Sequence, residues 1–218
     1  MTCNRQFYWV CCEVSELTFQ SEGAYCVKPA LTYQKLRGGY YTPPAIARFL
    51  AAWAILERET RTLEPSCGDG EMLIAAAQTL MERGARPAEI AASLDGIELD
   101  PHEAALAQAR LERLAEEPMP APFVGDFFSR CKTLLDAQMR YDAVIGNPPF
   151  IRYQNFPEEH RRIAFYLMQL AGLHPNRLTN AWVPFLVAAT LLLRPQGRVA
   201  MVIPAEILQV NYAAELRY

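Results

Sequence analysis

Short apolar segments alternate with amphipathic segments along most of this chain. The apolar segments predict five β-strands, at residues 62–63, 93–98, 122–125, 141–146 and 198–203. Helical spacing of apolar residues predicts helices between them. Strands that alternate with helices indicate an α/β fold with a doubly wound, mainly parallel sheet, and short apolar strands are expected where helices cover both faces. Ligands of such sheets bind beyond the carboxyl ends of the strands.

The regular pattern begins near residue 38. Thr42 is predicted as the N-cap of a helix, with Pro43 at the first helical position, where proline is tolerated. Helical spacing then predicts one buried face made of Ile46, Phe49, Leu50, Trp53 and Leu56. Residues 1–36 show no clear period, and we expect them to form a separate N-terminal segment of unassigned role before a domain of residues 37–218.

Composition limits the classes of protein to which the chain can belong. The 218 residues are 51% hydrophobic and carry a formal net charge of −3, so one domain is expected and the basic excess of a self-sufficient nucleic-acid binder is absent. The longest apolar run, residues 181–193, is too short to span a bilayer and contains Pro184. It predicts a buried helix, and no signal-peptide layout precedes it, so no membrane partner is expected.

The six cysteines and three histidines do not form a recognisable metal site. No Cys-x-x-Cys spacing occurs and the histidines are scattered, so neither a zinc site nor a disulfide framework is predicted. We therefore expect no bound metal and a location in a reducing cytoplasm.

A glycine-containing loop, residues 64–70, follows the first predicted strand. Its sequence, Glu-Pro-Ser-Cys-Gly-Asp-Gly, departs from Gly-x-Gly-x-x-Gly and has no Walker lysine, which disfavours dinucleotides and nucleoside triphosphates. S-adenosylmethionine suits the loop better, because it has an amino-acid end and no phosphates. The alternative is a tight strand-to-helix turn that needs glycine for geometry alone.

Acidic residues end the next two strands. Glu98 can accept hydrogen bonds from both ribose hydroxyls of an adenosyl ligand, whereas Asp100 is expected to cap the following helix. Asp126 could accept a hydrogen bond from the adenine amino group while Phe127 packs on the ring; the alternative is a solvated acid beside a core aromatic. In the segment Tyr41-Thr42-Pro43 an exposed hydroxyl or backbone group could close over the methionine end; the alternative is a helix cap and nothing more.

Asn147-Pro148-Pro149-Phe150 directly follows the fourth strand. The Asn147 side-chain oxygen and the Pro148 carbonyl are two oriented acceptors in a loop whose prolines have no N–H groups. Two acceptors suit a planar amino group, and Phe150 can stack on its ring. The motif therefore predicts transfer chemistry at an amino nitrogen such as that of adenine, driven by orientation and electrostatic preorganisation. The alternative is a plain rigid loop.

Together these motifs resemble the adenine-specific DNA methyltransferases of bacterial restriction–modification systems, over residues 38–217. The resemblance is carried by segments 39–44, 63–70, 96–100, 125–127 and 145–150, in the gamma-type order. It implies a Rossmann-like, S-adenosylmethionine-dependent methyltransferase core. It assigns the cofactor site to Thr42, Glu64, Cys67, Gly68, Glu98, Asp126 and Phe127. It assigns the target adenine to Asn147, Pro148, Pro149 and Phe150, with Asn147, Pro148 and Phe150 catalytic.

The resemblance also implies partners. The substrate would be double-stranded DNA with the target adenine flipped out of the helix. Two more strands, another base-stacking aromatic and a recognition domain would follow residue 208, so we expect a truncated enzyme, or a catalytic part with an exposed sheet edge that needs a separate specificity or restriction subunit. Arg152, Arg161 and Arg162 could contact phosphates, or lie on a solvated helix face.

Two other classes of function stay open at this point. An RNA-adenine or protein-glutamine methyltransferase would present a similar amino group to the same acceptors. The segment 41–44, just before the first strand, favours the DNA enzymes. The remaining alternative is a non-catalytic or decayed cofactor-binding module that needs a partner chain.

Overall fold

A six-stranded, all-parallel sheet organises the fold. The computed structural model describes residues 6–12, 42–150, 157–174 and 180–205. In chain order the strands are β1 Gln6–Cys12, β2 Thr62–Glu64, β3 Leu94–Glu98, β4 Phe123–Val124, β5 Tyr141–Gly146 and β6 Leu193–Pro204. Their order across the sheet is β1-β6-β5-β2-β3-β4, with parallel pairing throughout. The five predicted strands are thus confirmed, and β1 is a sixth.

Helices connect the strands on both faces of the sheet. They are α1 Pro44–Ala54, α2 Glu71–Glu82, α3 Pro87–Ser93, α4 Pro101–Ala115, α5 Phe127–Asp136, α6 Glu158–Leu170 and α7 Trp182–Leu191. The pattern did not predict α3, because it is only seven residues long and buries a single side chain, Ile90, which is too little to show a helical period.

Two hydrophobic cores lie on opposite faces of the sheet, which confirms the doubly wound architecture. Along β5, Val144 belongs to the core under α5, α6 and α7, whereas Ala143 and Ile145 belong to the core under α1, α2 and α4. This alternation follows from the strand period, because successive side chains point to opposite faces. Both faces of β5 are therefore buried, as a near-continuous apolar strand requires.

The N-terminal strand β1 lies where the sequence pattern predicted no structure. It pairs with β6 along its whole length, from Gln6 opposite Arg198 to Cys12 opposite Pro204. This side of β6, expected to be an exposed edge, is therefore paired by β1. Periodicity within residues 1–36 could not reveal this, because the partner strand lies at the other end of the chain. The division of the chain at residue 36 stays a prediction.

The start of α1 differs from the prediction. The helix begins at Pro44, and Pro43 occupies the N-cap position without a side-chain cap hydrogen bond. Thr42 is therefore not the N-cap, and that prediction was wrong. A residue that precedes proline is held in an extended conformation, so Thr42 stays outside the helix.

The buried face of α1 was also only partly predicted. Leu50 is fully buried, but Phe49 and Leu56 are each 51% exposed. The other buried positions are small, namely Ala47, Ala51 and Ala54. Alanines let α1 approach α2 and the sheet closely, and a pattern read from large apolar residues misses such a face.

The apolar segment near residue 181 forms the buried helix α7, as predicted. Eight of its ten residues are buried, and Pro184 lies in the first turn, where its missing N–H costs no hydrogen bond. Within the part of the chain that the structure describes, no helix is long and apolar enough to cross a membrane.

Candidate active site

The predicted site residues come together at one edge of the sheet. Glu64, Glu98 and Asn147 lie at or directly after the carboxyl ends of β2, β3 and β5, and Asp126 lies two residues after β4. These four strands are neighbours in the order β5-β2-β3-β4. The chain places β3 and β4 on one side of β2, and β5 and β6 on the other side. The boundary between β5 and β2 is therefore a topological switch point, and such points form ligand crevices in open α/β sheets.

The loop after β2 is held against its neighbours by short backbone contacts. The Cys67 N–H donates to the Ile97 carbonyl at 2.9 Å, and the Gly70 N–H donates to the Cys67 carbonyl at 2.8 Å. Gly70 has φ +91°, and a Cβ there would lie 2.8 Å from the Cβ of Ala107 on α4. Glycine is therefore required both for the left-handed turn and for the close approach to α4.

Arg110 holds the same loop against α4 through charged hydrogen bonds. Its guanidinium donates to the Asp69 carboxylate at 2.7 Å, to the Asp69 carbonyl at 3.0 Å and to the Glu71 carboxylate. The sequence carries no local signal for this contact, because Arg110 follows Asp69 by 41 residues and Glu71 by 39 residues. It pairs with two carboxylates and offsets one of their two charges, and it does not contact Glu64 or Glu98 in these hydrogen bonds.

Glu98 is held in one orientation by two backbone amides. The Gly68 N–H donates to Oε2 at 2.8 Å and the Asp100 N–H donates to Oε1 at 2.9 Å. Asp100 itself accepts from the His102 N–H at 2.9 Å and caps α4, as predicted. The Glu98 carboxylate is therefore fixed at the carboxyl end of β3, and each of its oxygens retains a lone pair for another donor.

Glu64 is a buried acid at the base of the loop. Its side chain is 2% exposed, and among the described residues its Oε2 has no hydrogen-bond partner. Burial, followed by the charges of Glu98 and Asp69, raises the pKa of Glu64 well above its ordinary value. Burial, followed by the charges of Glu64 and Glu98, raises the pKa of Cys67, which favours the neutral thiol. A cationic ligand beside Glu64 would favour the ionised form of this carboxyl group.

Asp126 and Phe127 have structural contacts of their own. Asp126 is the N-cap of α5, and its Oδ2 accepts from both the N–H and the Oγ of Ser129 at 2.8 Å. His160 Nδ1 lies 3.4 Å from the other oxygen. Phe127 is 3% exposed and packs against Phe185, with ring centroids 5.0 Å apart. The cap and the His160 contact were not predicted from sequence.

Asn147 links two motifs that are far apart in the chain. Its Nδ2 donates to Thr42 Oγ1 at 3.2 Å, and its backbone carbonyl accepts from Ser66 Oγ at 3.4 Å. Pro148 is buried, and Phe150 packs partly buried against both hydrophobic cores. The motif thus lies beside the loop after β2, and Thr42 lies beside the motif.

An exposed apolar residue that sequence reasoning did not single out lies directly after the end of β3. Leu99 follows Glu98 and is 54% exposed. An apolar residue between two acids at a strand end is the signal that could have identified it, because such a side chain can cover a planar ring. Among the described residues, no three His, Cys, Asp or Glu side chains are grouped to hold a metal ion.

Most of this chain resembles parts of known proteins. It is 26% identical over 183 residues to the type II methyltransferase M.XamI of Xanthomonas campestris pv. amaranthicola, which covers 83% of this chain and 32% of that protein. It is 28% identical over 158 residues to the tRNA1(Val) (adenine(37)-N6)-methyltransferase of Parabacteroides distasonis, covering 72% of this chain and 57% of that protein. The chain therefore spans about a third of the first relative and just over half of the second.

Solved structures share the fold at lower sequence identity. A structure from Listeria monocytogenes, ascribed to class I S-adenosylmethionine-dependent methyltransferases, matches 79% of this chain and 48% of its own at TM-score 0.58 and 18% identity. The methyltransferase subunit of a type I restriction-modification system from Streptococcus thermophilus matches 81% of this chain and 37% of its own at TM-score 0.60 and 21% identity. The predicted methyltransferase fold is thereby confirmed. Residues 27–216 match the family described as N-6 DNA methylase, and the chain belongs to that family.

Proposed function

We propose that the protein transfers a methyl group from S-adenosylmethionine to the exocyclic amino group of adenine in DNA. The observation that carries this proposal is the placement of Asn147-Pro148-Pro149-Phe150 at the carboxyl end of β5, joined through Ser66 to the loop after β2. An acceptor pair for an amino group thus lies beside a candidate cofactor loop, in a member of the N-6 DNA methylase family.

The residues at the site fit S-adenosylmethionine. When bound, this molecule supplies a methyl group on a positively charged sulfonium. Glu64 offers a buried carboxylate oxygen that has no partner among the described residues, and we assign it to the cationic amino group. Glu98 offers a carboxylate pre-oriented by Gly68 and Asp100, which suits two neighbouring ribose hydroxyls. The acids around Glu64 would repel a phosphate, which disfavours nucleotide cofactors.

The adenine end of the cofactor is assigned to the ends of β3 and β4. Asp126 keeps accepting capacity on its carboxylate beyond the Ser129 cap, and Leu99 is an exposed apolar neighbour of Glu98. Phe127 is already enclosed by Phe185, so it would contact a ring only by its outer edge. Cys67, Gly68 and Thr42 complete the assigned lining.

Asn147 and Pro148 would hold the substrate amino group. The Asn147 side-chain oxygen and the Pro148 carbonyl accept its two N–H hydrogens, which orients the nitrogen lone pair and favours the positive charge that develops on it. Phe150 would stack on the base. Because a base inside a duplex cannot reach such a pocket, we propose that the adenine is flipped out, at a cost of about a few kcal/mol.

DNA recognition is proposed to involve more than the described residues. The net charge of −3 provides no general attraction for phosphates. Arg162 is exposed on α6 and Arg161 is half-buried there, whereas Arg152 lies outside the described residues. We therefore propose a recognition region or subunit beyond these residues, as part of a restriction–modification system in the cytoplasm.

The first test is methyl transfer from radiolabelled S-adenosylmethionine to unmethylated bacterial DNA, with product nucleosides separated after digestion. We expect label in N6-methyladenine with the wild type and none with Asn147→Ala, while cofactor binding by calorimetry is retained. Label elsewhere, or undiminished transfer by the variant, would contradict the proposal. Gln169→Ala is the control, because it removes an exposed amide side chain near the carboxyl end of α6.

RNA adenine is the second candidate substrate. It is favoured by the relative from Parabacteroides distasonis, which this chain matches over 57% of its length and whose name gives an adenine of tRNA as its target. Parallel assays with unmodified tRNA and with DNA, at matched concentrations of adenine, distinguish the two. Label in tRNA alone would assign the same chemistry to RNA.

A further inference from the structure

Thr42 and Asn147 are joined by a hydrogen bond across 105 residues of sequence. Asn147 Nδ2 donates to Thr42 Oγ1 at 3.2 Å, and Thr42 is 8% exposed. We propose that Thr42 is a positioning residue for the Asn147 amide: it holds the amide nitrogen so that the amide oxygen is presented to the substrate amino group. This inference rests on the proposed function and assigns Thr42 a role in the methyl-transfer step rather than in cofactor affinity.

The backbone around Thr42 makes it a rigid support. Pro43 has φ −56° and ψ 136°, and a residue before proline is confined to an extended conformation. α1 begins two residues later and is anchored in the core by fully buried Ala47 and Leu50. The hydroxyl is therefore placed by a helix that packs on the sheet carrying Asn147.

The Asn147 amide needs such a support. Rotation of an asparagine amide about its last torsion has broad, roughly two-fold preferences, so the oxygen and nitrogen can exchange places at little cost. In the exchanged orientation an N–H donor would face the donors of the substrate amino group. The Ser66 contact is made to the backbone carbonyl, so it does not itself act on this torsion.

The hydroxyl restrains the amide plane. Its oxygen accepts the hydrogen bond, so the contact as it stands requires the nitrogen end of the amide to face Thr42. In this structure the nitrogen end faces Thr42, which leaves the oxygen on the opposite side of the amide. Loss of the hydroxyl would remove this hydrogen bond to the amide while the backbone hydrogen bonds that hold Glu98 stay in place.

The test compares three variants of the full-length protein. Thr42→Val keeps the shape and removes the hydroxyl, Thr42→Ser keeps the hydroxyl and removes the methyl group, and Thr42→Ala removes both. We expect the single-turnover methylation rate to fall about tenfold in the valine and alanine variants, because each loses about one hydrogen bond. The serine variant should recover the rate of the wild type. The dissociation constant for S-adenosylmethionine should change less than about twofold in all three.

A spectroscopic measurement tests the same contact without activity. The side-chain amide resonances of Asn147 in ¹⁵N-labelled protein are assigned by their loss in Asn147→Ala. They should shift in Thr42→Val and return in Thr42→Ser. If the wild type methylates neither DNA nor RNA, the proposed function fails while this measurement still decides whether Thr42 holds the amide.

Three outcomes would overturn the inference. In the first, Thr42→Val weakens cofactor binding but leaves the single-turnover rate unchanged, which would place Thr42 at the cofactor. In the second, Thr42→Ser is as slow as Thr42→Val, which would assign the effect to packing of the methyl group. In the third, the Asn147 resonances are the same in all variants. Thermal unfolding of each variant verifies that the comparison is made on folded protein, and the alanine variant substitutes for valine if valine does not fold.

Discussion

The Glu98 carboxylate accepts the Gly68 N–H at 2.8 Å, so the loop after β2 and the end of β3 are joined by one charged hydrogen bond. The Asp100 N–H fixes the second oxygen at 2.9 Å. Both contacts come from the protein's own backbone, so the carboxylate that we propose as the acceptor for the ribose hydroxyls has a fixed orientation. Preorganisation of this kind avoids the ordering cost that binding would otherwise carry.

Replacing Glu98 with Gln should weaken S-adenosylmethionine binding. The Gln amide nitrogen must face either the Gly68 or the Asp100 N–H, so a donor opposes a donor and one ribose acceptor is lost. Hydrogen bonds to charged groups contribute about 1.5–3 kcal/mol, so we expect the dissociation constant to rise about 10- to 150-fold by calorimetry. Asp100→Asn is the control, because it removes the same charge two residues away and keeps a good helix cap. An equal loss of S-adenosylmethionine affinity in both variants would contradict the role assigned to Glu98.

The buried acid Glu64 should make the stability of the ligand-free protein depend on pH. Burial, followed by the charges of Glu98 and Asp69, raises its folded-state pKa well above 4.5, whereas in the unfolded chain it ionises near that value. The folded state therefore holds a proton that the unfolded state has lost, so the free energy of unfolding falls as pH rises above 4.5 towards the folded pKa.

Glu64→Gln removes this titration. The melting temperature of the variant minus that of the wild type should increase as pH rises from about 5 to about 8. Glu82→Gln, an exposed acid on α2, is the matched control and should follow the wild type. A constant difference between Glu64→Gln and the wild type over this range would show that Glu64 is ionised in the fold.

Gly70→Ala should destabilise the fold through a clash with α4. The new Cβ would meet the Cβ of Ala107 at 2.8 Å and its Cα at 2.9 Å, and backbone cannot move aside cheaply. Gly84→Ala is the control, because Gly84 has the same φ of +91° with no atom within 4 Å of the Cβ position. Overpacking costs about 1–3 kcal/mol, so Gly70→Ala should lose about that much more unfolding free energy than Gly84→Ala in urea titrations. Equal losses would mean that only the backbone conformation matters.

Two substitutions of Asp126 should distinguish its role as the N-cap of α5 from its proposed contact with the adenine of the cofactor. Asn retains an oxygen for Ser129, whereas Ala removes the cap and should cost about 1 kcal/mol of stability. Both changes should weaken S-adenosylmethionine binding about tenfold, because the acceptor for the adenine amino group is lost. Asp136→Asn, an exposed acid on the same helix, should bind normally. Tight binding by Asp126→Asn would restrict Asp126 to its capping role.

The sequence determined the parts of this protein whose causes are local. Apolar runs of strand length, proline at helix starts and glycine at a strand end predicted the five strands β2 to β6 and the main helices. The parallel topology then put Glu64, Glu98, Asp126 and Asn147 at one edge, because each follows a strand and parallel strands end together. The motifs also carried the family resemblance that the match over residues 27–216 confirmed.

Only the tertiary structure decided the contacts between segments distant in sequence. Three such contacts join segments that no local pattern relates. They are the pairing of β1 with β6, the ion pair between Arg110 and Asp69, and the hydrogen bond from Asn147 to Thr42. For the same reason Thr42 was misassigned as a helix cap. Its residue type suits a cap and a buried hydrogen bond equally well, and its partner is set by how α1 packs against β5. Local preferences select elements, whereas packing in three dimensions selects which side chains meet.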